Sequence, residues 1–417
     1  RMRTTWSGLW KNADFLRLWS GQTISVFGSM IGGTAMSFTA ILALNASPFQ
    51  MGVLHAMELL PAFLIGLLAG AWVDRVHRRP LLIAADIGRA LVLASVPLAA
   101  LLGVLRIQQL YLVTLAVSVL GILFNIAYRS YLPALVGKAD LLEGNSKLSA
   151  SASVSEFAGF SLGGWLVQIF TAPIAVLVDA VSFVISAFSI TLIRAPEPPI
   201  QPAEQPNLRQ EILEGLRAVW RQPLLRASAA VVLVQGLASG IYGSLVVLYM
   251  SRGLGFSPGI LSMFWAVGGV SSFIGASLAA RFTRRLGVGR AMVVGLFLSG
   301  LSSLLIPLAS GATFLSGVLL VAAQLGDGFF LIYEINLVSL RQTVADERLI
   351  GRVNATFEFA GLGATLAGAL LGGVLGQSLG VQPILLAEAC GTLAAALLIA
   401  ASPLRGLRMV VEPVLAD

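Results

Sequence analysis

Apolar runs of 20 to 30 residues recur along the whole chain, separated by short polar breaks. A bilayer whose hydrocarbon core is about 30 Å thick is crossed by a helix of about 20 apolar residues, and most of these runs reach that length. Marking them by their breaks predicts twelve spans: 20–44, 50–73, 80–104, 108–136, 146–170, 173–193, 225–250, 258–280, 289–309, 312–339, 352–377 and 382–402.

Composition agrees with the pattern. Of 417 residues 57% are hydrophobic and only 11% charged, with a mean hydropathy of +0.88, which excludes a soluble globular protein of this length. A net charge of +7 would suit nucleic acid, but the basic residues sit in clusters between apolar runs, which fits lipid headgroups and membrane orientation better. Of the 27 Lys and Arg residues, 23 fall on the side that holds both termini, all but Arg89, Arg106, Arg129 and Arg252. By the positive-inside rule both termini are expected in the cytoplasm, with an even span count, in a plasma (inner) membrane. The polar, aromatic start "RMRTTWSGLWKNADFLRLW" does not read as a cleaved signal, so the first span is expected to act as an uncleaved anchor. Cys390 is the only cysteine, and His55 and His77 are the only histidines; no disulfide framework, metal set or cofactor is expected from them.

The middle of the chain breaks differently. Residues 194–223 open with five prolines in thirteen residues, an extended linker, and continue as an amphipathic helix with Leu208, Ile212, Leu216, Val219 and Trp220 assigned to one side. Six spans lie on each side of it. "ADLLEGN" at 139–145 answers "ADERLIGRVN" at 345–354, "EFAG" occurs at 156–159 and 358–361, and "GAWVDRVHRR" at 70–79 is echoed by "GASLAARFTRR" at 275–285. The offsets are 206, 202 and about 205, in the same order, which points to a duplication. The expected architecture is an all-α integral membrane protein of two pseudo-symmetric six-helix halves, residues 1–193 and 224–417, joined by a cytoplasmic linker at 194–223, a transporter plan with the substrate site between halves.

The loop after the second span reads "GAWVDRVHRRP". The positive-inside rule alone explains its arginines, but not the spacing Gly70-x3-Asp74-Arg75-x2-Arg78-Arg79. That spacing, at that place, resembles the G-x3-D-R-x-G-R-R/K motif of the major facilitator superfamily. The resemblance implies that Gly70 permits close helix contact and that Asp74 and Arg75, with Arg78 and Arg79, latch a cytoplasmic gate in the outward-facing state. His77 stands where the family usually has glycine, and Ala279 or Ala280 replaces the aspartate in the second half. "LWSGQTISVFGSMI", "YLPALV" at 131–136, "DAVSF" at 179–183 and "IGRVNA" at 350–355 further resemble the exporters related to macrolide efflux pumps and the enterobactin exporter. The implied activity is proton-coupled antiport and efflux of drugs or siderophores, a multidrug-resistance function. "GFSLGGWL" carries Gly159, Gly163 and Gly164 of the superfamily's helix-5 glycine motif without its proline, and tight packing of small residues explains it equally well.

Each charge within a span costs about 2.5 kcal/mol or more at the bilayer centre unless it faces a cavity or a partner. Ten such residues stand out: Glu58, Asp86, Arg89, Arg129, Glu156, Asp179, Asp327, Glu334, Glu358 and Glu388. Asp86 and Arg89, three residues apart, are expected to pair. Asp179 reads as a local hydrogen-bond anchor. Glu156 and Glu358 are repeat-equivalent, which suits symmetric packing as readily as coupling. Asp327 and Glu334, seven apart, share a face of the tenth span, a helix that lines the central cavity in the family. The candidates for proton coupling are Asp327 and Glu58 first, then Glu334 and Glu156.

Substrate contacts are expected from Gln22, Asn125, Arg129, Gln235, Tyr242, Tyr249, Trp265, Phe329, Tyr333 and Asn336, a mixed amide and aromatic set suited to a bulky amphipathic molecule. Span 1 carries no charge from Ser20 to Asn45, unlike the cavity expected of a sugar or organic-anion carrier. A lysolipid carrier or an importer of the same fold remains an alternative, and a membrane-embedded enzyme or receptor a more distant one. No nucleophile–base set and no G-x4-G-K-[ST] phosphate loop occurs, so neither an enzyme nor an ATP-driven pump is expected. The expected partners are a small-molecule substrate, protons and the lipid bilayer, with no nucleic acid, and the chain is expected to act as a monomer.

Overall fold

A computed structural model describes residues 8–73, 75–197 and 208–408. They are helical with no strand among them: α1 (Ala13–Phe38), α2 (Pro48–Val73), α3 (Arg78–Leu101), α4 (Ile107–Phe170), α5 (Ala172–Thr191), α6 (Leu208–Arg221), α7 (Pro223–Leu248), α8 (Pro258–Leu286), α9 (Val288–Ser303), α10 (Leu305–Leu308), α11 (Phe314–Ala323), α12 (Leu325–Val344), α13 (Ile350–Leu379) and α14 (Val381–Ala401). Eleven stretches among the described residues are long and apolar enough to cross a membrane, with α9–α10 and α11–α12 each counting as one. The twelfth expected span, 146–170, is helical as well, but its serines and glycines make it less apolar. It is the second part of α4, set off from the first by Gly137, whose φ of 76° breaks the helix.

Start and stop signals repeat between the halves. Both α1 and α7 run on into a single π turn, Thr39–Ala43 and Tyr249–Gly253, and each is followed by a left-handed residue, Asn45 (φ 51°) and Gly255 (φ 83°). The next helices, α2 and α8, both begin on a proline, whose missing N–H costs nothing in a first turn. Pro48 and Pro258 are 210 residues apart, close to the spacing of the sequence echoes.

The chain divides into two compact units, one of Arg1–Ala46, Met57–Gln205 and Ser257–Ser262, the other of Ser47–Ala56, Pro206–Phe256 and Met263–Asp417. In the first, α1 packs along α4 and α5 through small residues. A Cβ on Gly159 would lie 2.6 Å from the Met30 Cβ, and one on Gly163 3.2 Å from the Thr34 Cβ. The Gly164 amide donates to the Ser262 hydroxyl at 2.8 Å. All three glycines of "GFSLGGWL" are therefore places of close helix approach. An apolar cluster of Phe15, Leu18, Leu82, Phe124 and Ile190 fills the interior beside them.

In the second unit α7 packs along α13 and α14. Gly236 and Gly240 take the small-residue role: a Cβ at Gly236 would be 2.8 Å from that of Ala364, and one at Gly240 2.7 Å from the Ala369 amide. Val231, Met292, Leu296, Leu337 and Ile399 form the core. The amphipathic helix α6 sits against the start of α13, and here the expected single apolar side divides. Val219 is buried with Leu225, Val353 and Phe357, whereas Ile212, Leu216 and Trp220 are exposed. Val219 lies at the edge of that side, three residues from 216 and seven from 212, and it is this edge that meets the start of α13.

Candidate functional site

Within the first unit the buried charges gather in one place. Asp86 and Arg89 of α3 form an ion pair whose side chains are 0% and 9% exposed. The Arg89 guanidinium is also covered by two rings, Phe124 of α4 at 4.5 Å and Phe183 of α5 at 4.0 Å. Desolvated cation–π contacts of this kind contribute about 2 kcal/mol. Asp179 of α5 is buried beside them, feels the Arg89 charge, and accepts hydrogen bonds from Ser29 of α1 at 3.2 Å and Ser182 at 3.3 Å. Two helices, α3 and α5, thus bring two carboxyl groups to one guanidinium.

Among the described residues the second unit buries one carboxyl. Glu388 of α14 is 5% exposed and accepts from Ser303 of α9 at 2.7 Å and from Thr392 at 3.2 Å. Among the described residues it forms no ion pair. Its place in the chain is 209 residues after Asp179, close to the 210 that separate Pro48 from Pro258, so the two acids are repeat-equivalent.

The other intramembrane acids lie on exposed helix faces: Glu58 of α2, Glu156 of α4, Asp327 and Glu334 of α12, and Glu358 of α13. Asp327 stands in the first turn of α12, with its carboxylate packed on Gly268 of α8. Of the polar set, Arg129 and Asn125 are exposed on α4, and Tyr242 and Trp265 are half-buried. Phe329 is half-buried as well, and Tyr249 donates to the Ala309 carbonyl at 3.0 Å. Gln22 of α1 and Gln235 of α7 each keep a buried amide atom, the nitrogen in one and the oxygen in the other, without a hydrogen-bond partner among the described residues. Two expected contacts serve the interior of the second unit. Tyr333 is 2% exposed in its apolar core, and Asn336 accepts from Thr283 at 2.8 Å while donating to the Ile332 carbonyl.

At the gate motif, Asp74 lies outside the described residues, and Gly70 is described only by its helical backbone. Arg75 is exposed. His77 caps α3 in ordinary extended geometry (φ −63°, ψ 129°), so this position does not require the glycine that the family usually has. The turn is held by a residue that sequence reasoning missed. Glu197, in the proline-rich linker, accepts from the Arg78 and Arg79 amides at 2.5 and 3.3 Å, an acid at a helix N-terminus, where the macrodipole favours it. The Arg79 side chain donates to the Ile190 and Thr191 carbonyls at 3.3 and 2.7 Å. Asp14 accepts from the Arg194 and Ala195 amides at 3.1 and 3.0 Å, which ties the same segment to α1. No sequence spacing announces these contacts, which span 111 residues or more.

Apolar helices of spanning length, repeated start and stop signals and buried charges held inside the helix packing by an ion pair and hydrogen bonds define a multi-pass helical membrane protein of duplicated plan. The sequence profile of the Major Facilitator Superfamily matches residues 18–361. The chain therefore belongs to that superfamily and is a membrane transporter. It is 28% identical over 389 residues to the uncharacterized MFS-type transporter YfiS of Bacillus subtilis (strain 168), covering 90% of this chain and 89% of that protein. It is also 28% identical over 389 residues to the multidrug efflux pump Tap of Mycolicibacterium fortuitum, covering 86% and 89%. Its fold is similar to the crystal structure of the nucleoside transporter NupG, with a TM-score of 0.75 at 15% identity over 93% of this chain and 98% of that one. A bacterial homologue of the iron transporter ferroportin in its inward-facing state gives 0.69 at 17% identity, over 94% and 99%.

Proposed function

We propose that the protein is a proton-coupled exporter of amphipathic small molecules, seated in the inner membrane with both termini in the cytoplasm and built as halves 1–193 and 224–417 around the linker 194–223. The observation that carries this reading is the pair Gln22 and Gln235, each on the first helix of its half and each holding a buried amide atom with unused hydrogen-bonding capacity. A substrate met by amides and aromatic rings such as Tyr242 and Trp265, rather than by fixed charge, is a largely uncharged amphipathic molecule. The similarity to the efflux pump Tap over most of both chains supports the direction of transport.

Coupling needs an acid that proton and substrate load in turn. Asp327 is the first choice, because it is exposed in the first turn of α12 and has a glycine, Gly268, facing its carboxylate. In proteoliposomes with an imposed pH gradient, Asp327→Asn is expected to bind substrate yet lose the response to the gradient. Gradient-driven transport that persists in Asp327→Asn and fails in Glu58→Gln would move the proton site to α2. Asp74→Asn is expected to abolish transport at near-normal expression if the family's gate latch operates here, and full transport by that variant would remove Asp74 from the gate.

A further inference from the structure

Helix α6 turns its apolar residues away from the protein. Ile212, Leu213, Leu216 and Trp220 are 50%, 39%, 51% and 68% exposed, while Gly215 and Val219 are buried on the adjoining face. The buried side is fixed to α13. Arg352, in the first turn of that helix, pairs with Glu214 and stands 4.0 Å from Glu211, and a Cβ on Gly215 would lie 2.7 Å from the Arg352 carbonyl. Both acids of α6 are thereby engaged inward. The cations face outward: Arg217 and Arg221 are exposed, and so is Arg226 in the first turn of α7, its guanidinium 5.9 Å from the Trp220 ring.

Two facts place this face at a bilayer surface. Helix α7 begins at Pro223, two residues beyond the end of α6, and it is of spanning length. The first turns of α7 and α13 meet, Leu225 beside Val353, so both helices enter the membrane on the side where α6 lies. An amphipathic helix at that level, apolar outward and ringed by arginines, fits the boundary between headgroups and acyl chains of an anionic leaflet.

We propose that α6 lies in the headgroup layer, with Ile212, Leu213, Leu216 and Trp220 among the upper acyl chains and with Arg217, Arg221 and Arg226 binding anionic phospholipid headgroups. The clamp through Arg352 then links the lipid composition of that leaflet to the entry of α13. This rests on the membrane-spanning fold alone and stands whatever the substrate is.

The test uses the full-length protein with its single cysteine removed (Cys390→Ser) and a nitroxide at Leu216→Cys, an exposed position, in vesicles of phosphatidylcholine with and without phosphatidylglycerol. The label is expected to meet dissolved oxygen in preference to an aqueous nickel chelate, and more so with phosphatidylglycerol present. Equal access of the chelate in both vesicles would overturn the proposal, as would spin–spin broadening from a second copy seated on the face. In detergent, phosphatidylglycerol retained by the protein is expected to fall about fivefold for Arg217→Gln and again for Arg221→Gln, the equivalent of about 1 kcal/mol for each basic side chain at an anionic surface. Retention unchanged in both variants, or displacement of the lipid by inorganic phosphate, would remove the lipid headgroup as the ligand.

Discussion

Asp179 and Glu388 occupy equivalent places in the two halves, and each is buried. Around Asp179 the chain supplies a cation, Arg89, then a second acid, Asp86, to occupy that cation, and two rings to cover it. Around Glu388, among the described residues, it supplies hydrogen bonds from the hydroxyls of Ser303 and Thr392 and no ion pair. Leu298 stands 209 residues after Arg89, so the cation has no counterpart at that place in the second half. The duplicated plan has thus kept an acid on the last helix of each half but satisfies it by ion pairing in one and by hydrogen bonding in the other. The difference teaches where the charge balance is delicate. Removing one member of the first cluster strands a charge, whereas a neutral amide can replace the carboxyl of the second without doing so.

The comparison breaks first at Arg89. Arg89→Gln leaves Asp86 and Asp179 without their cation and is expected to cost about 3–5 kcal/mol, read as a lowered thermal unfolding midpoint and yield in detergent. Glu388→Gln keeps a hydrogen-bonding group of the same shape and is expected to cost about 1 kcal/mol. Equal losses in the two variants would dissolve the distinction. Asp86→Asn combined with Arg89→Gln should lose less than the two single changes together, since each single change strands the other residue.

A finer contrast lies in the hydroxyl donors. Ser303→Ala removes the donor to one Glu388 oxygen and is expected to cost about 1–2 kcal/mol. Ser29→Ala removes one of several partners of Asp179 and should cost about half as much or less, because Ser182 and Arg89 remain. Unfolding midpoints of the two variants, measured side by side, would reverse this order if the Asp179 cluster depended on α1 more than on α3.

The smallest effect belongs to an ion pair outside the spans. Glu143 meets Lys147 at 2.9 Å and accepts from the Leu9 amide at 3.1 Å; the Lys147 ammonium and then the amide hold its carboxyl below the usual carboxylate range. A lowered pKa stabilises the folded state above the unfolded value, and that contribution is lost as the pH falls through the folded one. Glu143→Gln should therefore change nothing in the acid limit and slightly lower the unfolding midpoint at neutral pH, an effect well below that of Arg89→Gln.

How far the site could be read in advance varied with the kind of signal. Asp86 and Arg89 were legible as a pair because three residues on one helix are neighbours. Asp179 and Glu388 were each visible as a charge in an apolar run, yet their kinship lay in an offset of 209 residues that a search for identical letters passes over, since one is an aspartate and the other a glutamate. Glu197 looked like one polar residue in a proline-rich linker. Its hold on the first turn of α3 depends on where the chain returns after α5, which no local rule encodes.

The sequence by itself determined that the chain lives in a bilayer, how many long helices it needs, where they start and stop, and that its plan is duplicated. These are one-dimensional consequences of apolar run length, proline and glycine placement and repeat spacing, because a helix in lipid satisfies its own backbone and its ends follow from local chemistry. Only the tertiary structure decided which charges meet and which face of α6 turns outward, as well as which of the polar candidates serve the core. Tyr333 and Asn336 were indistinguishable in the sequence from Gln22 and Gln235, and they differ because α8, α9, α12 and α14, distant in the chain, pack around the first pair, with a hydrogen bond between Thr283 and Asn336 and close packing alone at Tyr333.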